Sequence, residues 1–212
     1  MKLGTITRGL RQYASHVWRN YFSLPYVASA DVLAKRHKTA AGPTRTLDLG
    51  CGKTPRNPFG AEELFGIDVD YGLGTDSRIL PCDLGAEALP FPDAHFDYVT
   101  AFDLFEHIDR LSYRNGVRSH PFIYLMSEIC RVLKPGGILL SDTPLYPRES
   151  AYVDPTHVNV ITIDTFRLYF AHPHSWARRY GFVGDFDLVD QAFCGDNLIT
   201  VLARRLEGVA EG

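Results

Sequence analysis

Only four cysteines occur in 212 residues, at 51, 82, 130 and 194, and no two stand in Cys-x-x-Cys spacing. A disulfide framework and a cysteine-built zinc site are thereby excluded, and reduced thiols in a cytoplasmic protein are the simpler account. No apolar run approaches the ~20 residues of a membrane-spanning helix, and the start lacks the apolar core of a secretory signal. There are no repeats and no low-complexity tracts. Excess positive charge is lacking too: the net charge is −3, which argues against nucleic acid as the main partner. Acids are nearly missing from the first 38 residues, which hold seven Lys/Arg and one acid, Asp31, whereas the remainder holds 15 basic and 24 acidic residues. Such a basic lead reads as a solvated cap helix, with weak peripheral contact to an anionic membrane as the other use of its charge. Trp18, Tyr21 and Phe22 look ready to pack, which argues against a discarded presequence.

What is present is an alternation of periods. Residues 5–22 and 26–38 read as helices separated by Pro25, with Ile6, Leu10, Tyr13 and Val17 at spacings of three and four. Gly42-Pro43 marks a boundary. Strands are predicted at Thr44–Leu49, Leu64–Asp68, near Ser77–Cys82 and at Phe96–Ala101. A helix over 120–133 follows, with Pro121 in its first turn and Phe122, Leu125, Met126, Ile129, Val132 and Leu133 on one face. Pro135-Gly136-Gly137 ends it, and Ile138–Ser141 begins a fifth strand. A long connection, 143–162, precedes a helix from about Asp164 to Phe170 and paired strands near Phe182–Val189 and Leu198–Ala203. The expected organisation is a helical segment, 1–42, packed on an α/β domain, 43–206, with a flexible tail, 207–212.

Leu47-Asp48-Leu49-Gly50-Cys51-Gly52 reads as a buried strand ending in a glycine turn, and Gly66-Ile67-Asp68 as a second strand ending in a carboxylate. Asp68 lies 20 residues beyond Asp48, close to the roughly 20-residue spacing that brings a carboxylate to a nucleotide ribose in a βαβ unit. Asp70 is the competing acid, and strand parity favours Asp68. Pro55 and Pro58 predict that the helix usual after such a turn is shortened or replaced by a loop. A third glycine would fall at Thr54, and its lack weakens a dinucleotide-oxidoreductase reading, which needs a close helix start for pyrophosphate.

Downstream come Asp83 with Leu89-Pro90-Phe91, Phe96-Asp97-Tyr98-Val99, Phe105-Glu106-His107-Ile108 and Arg131-Val132-Leu133-Lys134-Pro135-Gly136-Gly137. In that order these segments resemble the class I S-adenosylmethionine-dependent methyltransferases, in particular the small-molecule type 11 group, over roughly residues 45–205. The resemblance implies a doubly wound, Rossmann-like seven-stranded sheet, mostly parallel with one antiparallel edge strand and helices on both faces. It implies S-adenosyl-L-methionine as cofactor, with Gly50, Cys51 and Gly52 giving backbone contacts to its methionine part. Asp48 would fix the turn or reach the amino group, Asp68 would hold the ribose hydroxyls and Asp83 the adenine amino group, with Leu84 against the ring. Phe102 would close over the sulfonium.

Each of these residues has a plainer use. Asp48 and Asp83 suit turn or helix capping, and Phe102 suits core packing. On the acceptor side the candidates are His107, after the fourth strand, and Asp154 with His157 in Asp154-Pro155-Thr156-His157-Val158-Asn159. An Asp–His pair deprotonates a hydroxyl or orders its own loop; binding a metal with a further ligand ranks third, and no metal ligand is assigned. His172-Pro173-His174 reads as a solvated helix end. Tyr146, Arg148 and Tyr152 suggest a hydrophilic or stackable acceptor. Ala101-Phe102-Asp103 differs from the Asn-Pro-Pro-Tyr of nucleic-acid amino-methylating relatives. The expected activity is methyl transfer to a small polar acceptor, such as an oxygen of a sugar or glycan precursor. The alternative is a catalytically silent cofactor-binding module serving as a partner subunit.

Overall fold

The computed structural model describes residues 3–39, 42–69, 78–114 and 116–206; Asp70, Ser77 and the expected tail 207–212 lie outside them. Seven strands form one sheet: β1 (Arg45–Leu49), β2 (Glu63–Asp68), β3 (Ile79–Pro81), β4 (Phe96–Phe102), β7 (Leu133–Pro144), β8 (Phe186–Cys194) and β9 (Asn197–Arg204). Their order is β3-β2-β1-β4-β7-β9-β8. β1 is parallel to β2 and β4, β2 to β3, and β4 to β7. β9 runs antiparallel to both β7 and β8, so it sits one place in from the edge. The outermost strand, β8, therefore points the same way as the parallel set. A short hairpin, β5 (Ser112–Arg114) and β6 (Val117–Ser119), stands apart.

Alternation along the strands sorts side chains onto two covered faces. Leu47, Leu49, Val99 and Leu139 are buried with Leu125, Met126 and Ile129 of α3 (Pro121–Val132) and Phe166 of α5 (Ile163–Tyr169). Tyr98, Ile138, Leu140 and Val201 face Leu33 and Ala34 of α2 (Ala30–Arg36). Phe59 stacks on Tyr98 with ring centroids 4.1 Å apart. The face expected on α3 is the buried one, and its last turn runs straight into β7. Glu128 and Arg131 anchor it: Glu128 accepts the Leu89 N–H at 2.9 Å, and Arg131 donates to the carbonyls of Leu89 and Phe91.

No helix forms between β1 and β2, as the two prolines require. Instead, Asn57 closes a loop by donating to the Ala61 carbonyl and accepting its N–H, both at 2.8 Å. The long connection after β7 contains only α4 (Ser150–Val153).

α1 (Leu3–Phe22) corrects the sequence reading. Leu10 and Tyr13 of the expected face are exposed, as are Phe22 and, at 61%, Trp18, while Val17 is half-buried. The end of α1 carries the tether: Arg19 pairs with Asp164, and Asn20 is buried. Arg148, read as an acceptor-loop residue, is instead buried against this junction. It donates to the carbonyls of Gly195 (2.6 Å) and Asn20 (3.3 Å) and to the Tyr26 hydroxyl (3.1 Å). Its guanidinium also lies over Tyr21 and Phe193.

Outside β8, the segment that follows α1 makes two main-chain bonds: the Val27 N–H to the Phe193 carbonyl (2.9 Å), and the Phe193 N–H to the Pro25 carbonyl (2.8 Å). Near the other end of β8, the His172 N–H donates to the Phe186 carbonyl at 2.7 Å. Among the described residues no helix is long and apolar enough to cross a membrane.

Candidate functional site

The glycine turn is built by its neighbours. Gly50 and Gly52 have φ of +64° and +56°, a region that side-chain-bearing residues resist. A Cβ on Gly50 would also meet Leu104 Cδ1 at 2.9 Å, while one on Gly52 would project into open space. The Cys51 N–H donates to the Ile67 carbonyl at 3.1 Å, pinning the turn to the end of β2. Gly66 is needed for the same closeness, because a Cβ there would lie 2.5 Å from Cys51 Sγ and 2.7 Å from Pro55. Asp68, at the end of β2, accepts the Gly52 N–H at 2.8 Å.

Asp48 fixes this turn from below. Strand register sets Thr100 beside it, and the Thr100 hydroxyl donates to Oδ1 at 2.7 Å. The Arg56 N–H donates to Oδ2 at 2.7 Å, which holds the loop that replaces the helix. Burial pushes the Asp48 carboxyl up to about 6, against the pull of those two donors. Both Asp48 oxygens are engaged in holding the turn, and the residue has almost no exposed surface. Burial, with Asp48 and Asp68 nearby, pushes the Cys51 thiol up to about 12, so its sulfur is an inert packing group.

Asp83 follows β3 and accepts the Gly85 N–H through Oδ1 at 2.9 Å, with Leu84 buried behind it. Its carboxyl therefore caps its own turn, the plainer use read from the sequence. Phe102 ends β4 half-buried, with the Arg56 guanidinium 4.5 Å from its ring centroid. The two lie on the wall of a cavity of about 800 Å³ that also involves Asp142, Cys194 and the start of α2. Arg56 and Asp142 were not singled out in the sequence. Thr100 could have been, since its place beside Asp48 follows once β1 and β4 are aligned.

A second group assembles at the same carboxyl edge, where ligands bind in open sheets. Phe105–His107 form a 3₁₀ turn after β4, and the N–H groups of Val158 and Asn159 both donate to the Glu106 carbonyl at 2.9 Å. That clamp carries the 154–159 loop onto the turn and unites the three predicted acceptor-side residues. Thr156 Oγ1 donates to Asp154 Oδ1 at 2.7 Å and lies 3.1 Å from His107 Nδ1. Asp154 Oδ2 is 4.0 Å from His157 Nε2, and the two imidazole centroids are 4.8 Å apart. Hydrogen bonds from Thr156 hold Asp154 below the ordinary carboxylate range. Glu106 completes the group and was assigned no role from sequence. It is 2% exposed, and burial, reinforced by Asp103, Asp142 and Asp154, pushes its carboxyl up to about 7.

Comparison with known proteins agrees with this geometry. A family model described as a methyltransferase domain matches residues 47–141. The ubiquinone/menaquinone biosynthesis C-methyltransferase UbiE of Psychromonas ingrahamii is 37% identical over 93 residues, covering 42% of this chain and 32% of that protein. The UbiE of Laribacter hongkongensis is 45% identical over 67 residues, covering 31% and 22%. The matches thus span a third or less of the length of these curated relatives. Among solved structures, a chain of the Haloferax volcanii complex between the Trm112 methyltransferase activator and a methyltransferase superposes with a TM-score of 0.57. It is 16% identical and covers 92% of this chain and 93% of that one. Strand order and glycine turn accord with that methyltransferase-domain match over residues 47–141, and the fold is that of S-adenosylmethionine-dependent methyltransferases.

Family and fold imply S-adenosyl-L-methionine as the cofactor, and the residues fit it. The open side of Gly52 gives a backbone surface with no side chain in the way. Carboxylates stand at the ends of two adjacent strands, Asp68 after β2 and Asp83 after β3. An ionised carboxylate is a strong acceptor for a hydroxyl or amino donor.

Proposed function

We propose that the chain transfers the methyl group of S-adenosylmethionine to a small acceptor entering beside His107, Asp154 and His157. The observation that carries this reading is the Asp68 carboxylate clasped onto the open face of Gly52, with a polar group gathered at the same sheet edge. Asp68 would take the ribose hydroxyls, Gly50, Cys51 and Gly52 the methionine backbone, and Asp83 with Leu84 the adenine. Phe102 and Asp48 would act one layer back, through Arg56 and the turn. When bound, the cofactor supplies an activated methyl and a neutral thioether leaving group. The protein's share is alignment and exclusion of water.

We take the acceptor to be a phenolic or quinol-type ring methylated at carbon, the chemistry the names of the UbiE relatives describe. The C–S bond breaks as the C–C bond forms, and the ring carbon then loses its proton. Removing the proton of a neighbouring ring hydroxyl feeds charge into that carbon, a task suited to the His107–Asp154–His157 group. A sugar or glycan acceptor finds no support in these relatives, and a silent partner module is not favoured. A cytoplasmic location accords with the free thiols.

Calorimetry tests cofactor binding: S-adenosylmethionine should bind in the micromolar range and NAD should not bind. A methyl-release screen comparing quinol-like phenols, nucleotide sugars and hydroxy acids then tests the acceptor. Turnover confined to the sugars would overturn the ring proposal, and no cofactor binding would overturn the whole reading.

A further inference from the structure

Glu106, His107 and His157 form a compact group at the carboxyl edge of the sheet. One ligand atom from each lies within 4.8 Å of the others. Both carboxylate oxygens of Glu106 are buried without a hydrogen-bond partner, and so is Nδ1 of His157. A buried carboxylate left unpartnered costs free energy, and native structures rarely tolerate it without a reason. A cation beside these unpartnered atoms would satisfy them.

The loop also sets the histidines for ligation. Thr156 has one hydroxyl proton, and it goes to Asp154 at 2.7 Å; its oxygen therefore accepts from Nδ1–H of His107 at 3.1 Å. That fixes the proton of His107 on Nδ1 and leaves the Nε2 lone pair free. On His157 the Nε2 edge faces Asp154, and Nδ1 is the atom left without a partner. A polar group behind each ligating imidazole is the usual support of a metal-bound histidine; here Thr156, itself bonded to Asp154, stands behind His107, and Asp154 Oδ2 lies 4.0 Å from His157 Nε2.

We propose that Glu106, His107 and His157 bind a divalent transition-metal ion of the zinc type, with Asp154 and Thr156 orienting the two imidazoles. Two imidazoles and one carboxylate form a donor set found for Zn²⁺ and Fe²⁺, with coordination positions left open. Bonds of about 2.0–2.1 Å to one ion set the donors about 3.3 Å apart, so a pair at 4.8 Å must close by roughly 1.5 Å. Acids nearby, Asp103, Asp142 and Asp154, add to the pull on a cation. Arg110 also reaches the loop, where it donates to the side-chain Oδ1 of Asn159 at 2.6 Å and to the Val160 carbonyl. The sequence reading ranked a metal third among the uses of the 154–159 loop and assigned none; the further ligand, Glu106, lies 51 positions before His157. Ligation occupies the lone pair by which His107 would accept a proton, so in the loaded protein the ion assumes the task of acidifying an acceptor hydroxyl. That use rests on the proposed function; binding of the ion does not.

The test uses the full chain, stripped with a chelator and titrated with Co²⁺ and Zn²⁺ without cofactor or acceptor. One equivalent of Co²⁺ should bind with visible ligand-field absorption, Zn²⁺ should displace it, and either ion should raise Tm. His157→Ala should weaken binding by at least tenfold while circular dichroism stays unchanged, and Asp154→Asn by about tenfold through misoriented imidazoles. Glu106→Gln is read alongside them, since it removes a buried carboxyl as well as a ligand. No saturable Co²⁺ signal, or a signal equal in the wild type and His157→Ala, would overturn the proposal. Cofactor binding by calorimetry under the same conditions separates that failure from failure of the methyltransferase reading.

Discussion

Asp68 and Gly52 are joined by one hydrogen bond of 2.8 Å, from the N–H of Gly52 to Oδ2. The same carboxylate that ends β2 thus shapes the turn. Asp68→Ala should weaken S-adenosylmethionine binding about ten-fold or more, since a hydrogen bond to a charged group is worth about 1.5–3 kcal/mol. Asp68→Asn, which can still accept from Gly52, should keep the melting temperature while losing affinity. Unchanged calorimetric affinity in both variants would remove Asp68 from the site.

Asp48 supplies a pH dependence. Its carboxyl is raised to about 6 in the folded chain, so the native state holds a proton that the unfolded state has released. The fold therefore loses stability as pH rises from about 4 to about 6, by about 3 kcal/mol at most, and gains it back on acidification. Asp48→Asn should flatten that slope when urea unfolding is followed across this range. A variant with the wild-type slope would contradict the assignment.

Gly66→Ala should destabilise the chain by about 1–3 kcal/mol, the usual cost of overpacking. The added Cβ lies 2.5 Å from Cys51 Sγ, and both flanking elements are fixed by main-chain bonds. Chemical denaturation measures it, and a cost of a few tenths of a kcal/mol would show that the turn yields.

Arg148→Ala should release α1. Arg148 is 6% exposed, and its side chain bonds to Asn20, Tyr26 and Gly195 at once. Hydrogen exchange should rise over residues 16–27 first, with a loss of global stability of about 2–4 kcal/mol. Uniform exchange along the chain would mean that Arg148 is not the tether.

Much of this was legible because strands and caps are local. The alternation in Phe96–Phe102, the proline at the start of α3 and the two prolines after Gly52 each dictate their element regardless of distant neighbours. The face of α1 misled because spacing records which residues align, not whether anything lies opposite, and little packs on Leu10 or Tyr13. Arg148 looked like a binding residue because its three acceptors are 47, 122 and 128 positions away. Glu106 was visible in the Phe-Glu-His-Ile run, but its solitude was not. A missing partner is a property of the assembled fold.

The outer margin of β8 shows one more consequence. A terminal strand ordinarily offers an unsatisfied row of amides and carbonyls to any passing chain. Here residues 25–27 clip onto one extremity and His172 onto the other, so a neighbouring molecule finds no continuous ladder to extend. Runaway strand-on-strand polymerisation is thereby discouraged, and the stretch that follows α1 becomes a gatekeeper against aggregation.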